Sequence, residues 1–277
     1  AKILGLLSIL TGLFIGAGYF IGGASGMVIG LLFAGVMNFA SYWYSHKIVL
    51  KIYGAEKIDR NTRPELYDSV ERLAENAEVP MPELYISNME VPNAFATGRN
   101  PEHGVVCVTQ GLLTNLNNEE VEGVIAHELA HVKNRDTLVN AVVATVAGAI
   151  SIVAEMVFWG ALFSGRDEEG ELLSSMAFMI LTPLIATLIR LMISRKMEYR
   201  ADSDAVKIHG QKEGLSNALK KISSANERPT RRHNSKVQET GSNLFIYNPF
   251  SSDKITGLFS THPSLEKRLD NIEASEI

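Results

Sequence analysis

The chain of 277 residues lacks any basic excess: 26 Lys and Arg stand against 31 Asp and Glu, a net charge of −5. That excludes the electrostatic footprint of a nucleic-acid binder, which needs a positive face toward phosphates. A second cysteine is also missing. Cys107 alone cannot close an internal disulfide, which fits a reducing compartment. Over long stretches the chain lacks charge altogether. Residues Ile3 to Ser45 contain no Asp, Glu, Lys, Arg or His, Leu172 to Ile189 contain none, and Thr137 to Gly165 contain only Glu155. Water-facing sequence carries about one charged residue in four, so a wholly soluble protein is excluded. The mean hydropathy of +0.06 averages two unlike populations.

A hydrocarbon core about 30 Å thick takes about 20 apolar helical residues, which satisfy their own backbone hydrogen bonds in lipid. The first run is too long for one span and breaks at Gly22-Gly23-Ala24-Ser25-Gly26, predicting helices near Ile3–Ile21 and Met27–Ser45. Thr137–Phe163 and Leu172–Ile193 are the third and fourth, separated by the acidic hairpin Ser164–Glu171. Cleavage as a signal peptide is disfavoured, because a second span follows the glycine turn. Gly12/Gly16, Gly18/Gly22 and Gly26/Gly30 fit close helix packing in lipid. Glu155 faces a partner or water, or lies at the far interface. Lys47, Lys51, Lys133, Arg135, Arg190, Arg195, Lys196 and Arg200 flank the spans on one side, which the positive-inside rule makes cytoplasmic, with both termini. The predicted organisation is a two-helix membrane hairpin over 1–45, a polar region over 46–136, a second hairpin over 137–193 and a second polar region over 194–277.

In the first polar region, Thr62-Arg63-Pro64-Glu65 reads as a capping box opening a helix to about Glu78. Leu84–Ser87, Asn93–Gly98 and Gly104–Thr109 read as strands, the last suited to a sheet interior. Asn117–Arg135 reads as a helix capped by Asn117. In the second region helices are predicted to His209, over Gly214–Asn226 and over Pro263–Ile272, with a mobile loop over Glu227–Asp253.

The strongest chemical signal is His127-Glu128-Leu129-Ala130-His131 on the helix predicted over Asn117–Arg135. Histidines four apart on a helix share a face and can bind one metal, while Glu128 reaches the water that completes its coordination. A catalytic zinc usually takes three protein ligands. No local third histidine follows His131; Glu198-Tyr-Arg-Ala-Asp202 instead places two carboxylates on one face of a later helix. Glu198 is the predicted third ligand, and Asp202 the acceptor for the outward N–H of a ligand histidine. The bland alternative is a solvated charged turn.

HELAH, EYRAD, Asn93-Ala-Phe-Ala96 and Thr261-His-Pro-Ser-Leu-Glu-Lys-Arg268 together resemble the M48 zinc metallopeptidases, and the four spans resemble their HtpX-like heat-shock membrane protease branch. The resemblance implies an α-helical membrane protein whose cytoplasmic part is a mainly α, α+β gluzincin-type peptidase domain with a small sheet. It implies one Zn²⁺ per chain and an endopeptidase of membrane-protein quality control and stress response, in a bacterial or archaeal inner membrane. Partners are then membrane-protein and unfolded-protein substrates and the lipid bilayer, not nucleic acid, with self-association left open. Glu128 takes a proton from water and passes it to the leaving amine. His262 and Arg268 are the candidate oxyanion donors, by resemblance and by need; otherwise His262 caps the last helix and Arg268 pairs with an acid. Asn93, Ala94, Phe95 and Ala96 hold an extended substrate by backbone pairing, as the resemblance to gluzincins implies. Helical rise from the span ends places the metal about 10 Å from the hydrocarbon edge. The alternatives are a CaaX-type prenyl-protein or peptide-processing protease of the same chemistry, and a scaffold stapled by zinc. The intact Glu128 speaks against the scaffold.

Overall fold

The computed structural model describes residues 2–136, 139, 179, 181, 192–226 and 263–277. Glu155, the acidic hairpin, the stretch Glu227–Asp253 and His262 lie outside the described residues, as do the third and fourth expected spans except at isolated positions. The chain divides into two compact units, Ala1–Trp43 with Val139–Ile193, and Tyr44–Leu138 with Ser194–Ile277.

In the first unit, helix α1 (Lys2–Ile52) is broken where expected. Gly22 has φ −134°, ψ 21°, and Gly23 has φ 57°, ψ −141°, a backbone that residues with a Cβ rarely adopt. The chain folds back there. A Cβ on Gly18 would stand 2.1 Å from the Gly26 carbonyl oxygen, one on Gly26 2.0 Å from that of Gly18, and one on Gly30 2.1 Å from that of Phe14. The Phe14 and Phe33 rings meet edge to face at 5.1 Å. Glycine thus lets the two arms touch backbone to backbone. Only part of the glycine pattern serves this, since Gly12, Gly16 and Gly22 have nothing within 4 Å of an added Cβ. Among the described residues no helix is long and apolar enough to cross a membrane.

The second unit carries a four-stranded mixed sheet of order β1-β2-β4-β3. Its strands are β1 (Ala55–Ile58), β2 (Glu83–Ser87), β3 (Ala94–Thr97) and β4 (Val105–Thr109). β4, with three valines, runs parallel to β2 and antiparallel to β3 and is buried at every position, the interior place its β-branched residues predict. β1, antiparallel to β2, was not predicted; Glu56 and Lys57 hide its pattern.

Helix α2 (Pro64–Asn76) buries Val70, Leu73 and Ala74. Its expected capping box does not form, because Thr62 turns back to Asp59: Thr62 N donates to Asp59 Oδ1 at 2.9 Å, and Asp59 N to Thr62 Oγ1 at 3.1 Å. Arg63 precedes the helix without a side-chain cap. The short α3 (Gln110–Asn115) follows β4 directly, started by Thr109 Oγ1 accepting from Leu112 N. Helix α4 (Asn118–Asn134) carries the histidines, α5 spans 192–209, and α6 (Glu213–Asn226) and α7 (Leu265–Ala274) complete the unit. Gly210, φ +80°, stops α5 as expected.

One apolar core joins α2, α4, α5, α6, α7 and the sheet, including Leu73, Val106, Ile125, Leu129, Leu219 and Ile272. α4 and α6 approach so closely that a Cβ on Gly123 would meet Leu215 N at 2.4 Å. This packing, not helix propensity, fixes where the metal-motif helix sits.

Candidate metal centre

α4 begins with a true capping box. Asn117 Oδ1 accepts from Glu120 N and Glu120 Oε2 from Asn117 N, both at 2.9 Å, satisfying two donors that a helix start leaves bare. Three turns on, His127 and His131 share one face, their Nε2 atoms 3.2 Å apart and their rings nearly perpendicular. α5 brings Glu198 to both: Oε1 is 3.5 Å from His131 Nε2, and Oε2 is 3.6 Å from His127 Nε2. Tetrahedral zinc ligands at 2.0–2.1 Å would stand about 3.3–3.4 Å from one another. All three separations lie close to that value, and among the described residues this is the group of His and acidic side chains able to hold an ion.

The outward nitrogens are also held. His127 Nδ1 lies 3.0 Å from Asp202 Oδ1, the partner expected four residues after Glu198. Asp202 is 0% exposed and would be costly to bury alone. Arg268 of α7 closes on it with two bonds, Nε to Oδ2 at 2.9 Å and Nη2 to Oδ1 at 2.6 Å. Of the two roles expected for Arg268, the structure places it as the partner of an acid, with Nη1 3.5 Å from Glu198 Oε2. Asn271 Nδ2 donating to Tyr199 O at 2.8 Å ties α7 to α5 at this level.

His131 Nδ1 meets Asp136 Oδ2 at 2.9 Å, and Arg200 pairs with the other oxygen of Asp136. The sequence pointed to neither as part of the centre: Asp136 drew no reading, and Arg200 counted only among the basic residues flanking the spans. Asp136 reaches back only because Arg135 ends α4 in the left-handed conformation, φ 58°, which nothing in a non-glycine residue announces. Asn134 Nδ2 donating to Asp204 Oδ2 at 2.7 Å holds α5 against this end of α4.

These contacts set the charge of the centre. Burial pulls both imidazoles down, but bonds to Asp202 and Glu198 outweigh it for His127, and bonds to Asp136 and Glu198 hold His131 well above its ordinary range. Burial pushes Asp202 up, yet Arg268 and His127 keep its carboxyl below the usual value. Asp202 is thereby kept ionised beside His127.

Glu128 is buried on α4 between the histidines. Burial, with a smaller contribution from the Glu128 charge, pushes the Cys107 thiol up to about 12, so this cysteine is no nucleophile. β3 is the terminal strand of the sheet, and Asn93, Ala94, Phe95 and Ala96 are all buried. Asn93 N donates to Thr109 Oγ1 at 2.9 Å, and Phe95 packs on Tyr53 at 4.6 Å. Asn93 and Ala96 also engage in further interactions.

The sequence profile of Peptidase family M48 matches residues 60–276, which hold every element of the centre. The chain belongs to peptidase family M48. Among the similar proteins, a "Protease HtpX homolog" of Desulforapulum autotrophicum is 47% identical over 269 residues, 95% of this chain and 86% of that protein. "Protease HtpX" of Legionella pneumophila is 45% identical, with 97% and 96% covered. The crystal structure of S. mikatae Ste24p shares the fold at TM-score 0.56 and 21% identity, over 96% of this chain and 61% of that one. As an M48 member with these relatives the chain is a membrane metalloprotease acting on peptides or proteins, its peptidase part built of helices and a small mixed sheet. The prenyl-processing and scaffold readings are not favoured. The metal that the family implies fits the residues present, on the spacing of His127, His131 and Glu198.

Proposed function

We propose that this M48 protein is a zinc endopeptidase with one ion held by His127, His131 and Glu198, cutting membrane and unfolded proteins on the cytoplasmic side as a quality-control enzyme. The observation that carries it is the set of separations of 3.2, 3.5 and 3.6 Å among the three side chains. A bound zinc ion supplies Lewis acidity, acidifying water and polarising the peptide carbonyl. Glu128, on the same helix between the two histidines, accepts the proton of the attacking water and delivers it to the leaving amine. Asp202 fixes the His127 tautomer so that Nε2 faces the ion, and Arg268 neutralises Asp202. That commitment makes Arg268 a positioning residue; the oxyanion falls to another donor, for which His262 is the sequence's candidate. Substrate enters extended along β3, with Asn93 at the head of that strand.

The membrane placement rests on the uncharged stretches and on α1. There Ile29, Leu32, Phe33, Val36 and Phe39 are exposed although large and apolar, as a lipid-facing helix pair requires. The flanking Lys47 and Lys51 make that end cytoplasmic. The reading includes four spans.

The test is zinc content together with cleavage of a membrane-tethered substrate in vesicles and of an equal soluble copy, each with and without a chelator. One zinc per chain, chelator-sensitive cleavage and preference for the tethered copy are expected. Cleavage that survives loss of the metal would overturn the mechanism, and equal rates would remove the membrane-substrate part.

A further inference from the structure

Asp136 sits just past the C-terminus of α4, 1% exposed. Asp136 is itself helical, directly after the Arg135 turn, and once buried its carboxylate needs donors to answer it. Burial adds desolvation cost. Two contacts compensate: His131 Nδ1 at 2.9 Å on one oxygen and Arg200 of α5 on the other. The arrangement repeats, on different elements, what Asp202 and Arg268 do for His127: imidazole, buried aspartate, arginine. The two arms differ in exposure, because the Arg268 side chain is 2% exposed and that of Arg200 41%.

We propose that Asp136 is the positioning residue for His131, holding its Nδ1 so that Nε2 points at the ion and raising its basicity as a ligand, with Arg200 keeping the Asp136 charge in place. The assignment rests on His131 being a metal ligand. A carboxylate that accepts the outward N–H of a ligand imidazole fixes both tautomer and ring plane, and loss of such a partner typically weakens metal binding about 10- to 100-fold. Because Arg200 reaches solvent, its own contribution is screened and smaller than that of Arg268.

The experiment uses the full-length chain in detergent, with Asp136→Ala, Asp136→Asn, Arg200→Gln and, as a control away from the histidines, Lys221→Gln, whose side chain on α6 pairs with Glu120 at the start of α4 at 2.8 Å. Zinc affinity is read by competition with a chromophoric chelator, ligand geometry by the visible spectrum of the Co²⁺-loaded protein, and folding by melting of the metal-free protein. Asp136→Ala is expected to weaken zinc about 10- to 100-fold and to alter the Co²⁺ spectrum. Asp136→Asn, which keeps shape and an acceptor oxygen, should lose less. Arg200→Gln should shift affinity in the same direction by only a few-fold, and Lys221→Gln should leave both readouts unchanged. Affinity within two-fold of the parent and an unchanged spectrum in both folded Asp136 variants overturn the proposal alone. A parent that binds no zinc, or a His131→Ala variant that binds it as tightly as the parent, overturns the ligand reading itself.

Discussion

In the folded-back arms of α1, Gly18 and Gly26 stand so close that a Cβ on either would strike the other's carbonyl oxygen, and the sequence around them carries no charge. Around α4 the opposite materials are used. His127, Glu198, Asp202 and Arg268 are all buried, and each ionised group is answered by another. The hairpin gains from removing side chains, because dispersion between backbones in close contact is what remains when no hydrophobic drive separates helix from lipid. The centre gains from adding polar groups, each of which would be costly if its partner were lost. One region should therefore be sensitive to volume and indifferent to pH, the other the reverse.

Breaking the polar side at its chemistry should have the largest effect. Glu128→Gln keeps volume and leaves the ligands in place; cleavage is expected to fall about 10²- to 10⁴-fold with zinc content unchanged in metal analysis. Glu198→Ala removes a ligand, and zinc affinity should fall at least about 100-fold, beyond the loss expected for a supporting residue, as read by chelator competition. Arg268→Met leaves Asp202 buried without its cation and should cost about 3–5 kcal/mol in denaturant unfolding. On the glycine side, Gly26→Ala places a methyl against backbone that cannot yield and should cost about 1–3 kcal/mol, while Gly16→Ala, with open space around it, should be neutral by the same measurement.

The smallest effect sharpens the contrast through pH. The folded His131 has a raised pKa, so in the metal-free protein its contribution to stability is fully present below the unfolded value of about 6.5 and is lost as pH rises through the folded value. Metal binding requires the neutral imidazole and reverses the sign. The melting temperature of the metal-free protein should fall as pH rises above about 6.5, and that of the zinc-loaded protein should not. Gly26→Ala should shift both curves without changing their slopes.

The capped helix over Asn117–Arg135 and the interior place of Val105–Thr109 were legible because short-range patterns fix them: an Asn-x-x-Glu cap in one, a β-branched run in the other. The same capping logic failed at Thr62, where Asp59 offered a nearer partner. β1 was missed because an edge strand with two charged residues has no alternating apolar signature, and α3 because six residues are too few for a helical period. Asp202 could be inferred from its spacing to Glu198. Asp136 could not, since its return to His131 depends on one residue, Arg135, adopting a left-handed backbone.

The linear order of side chains by itself determined that two imidazoles share a helix face, that glycine breaks the first apolar run, and that uncharged and charged stretches alternate along the chain. These follow from helix periodicity, from the conformational range of glycine and from covalent composition, none of which needs a distant partner. Only the folded chain decided that α5 lays Glu198 across both histidines, that Arg268 of the last helix is committed to Asp202, and that only some of the glycines meet another backbone. Those facts depend on contacts between residues scores of positions apart, where packing of whole elements, not local propensity, chooses the neighbours.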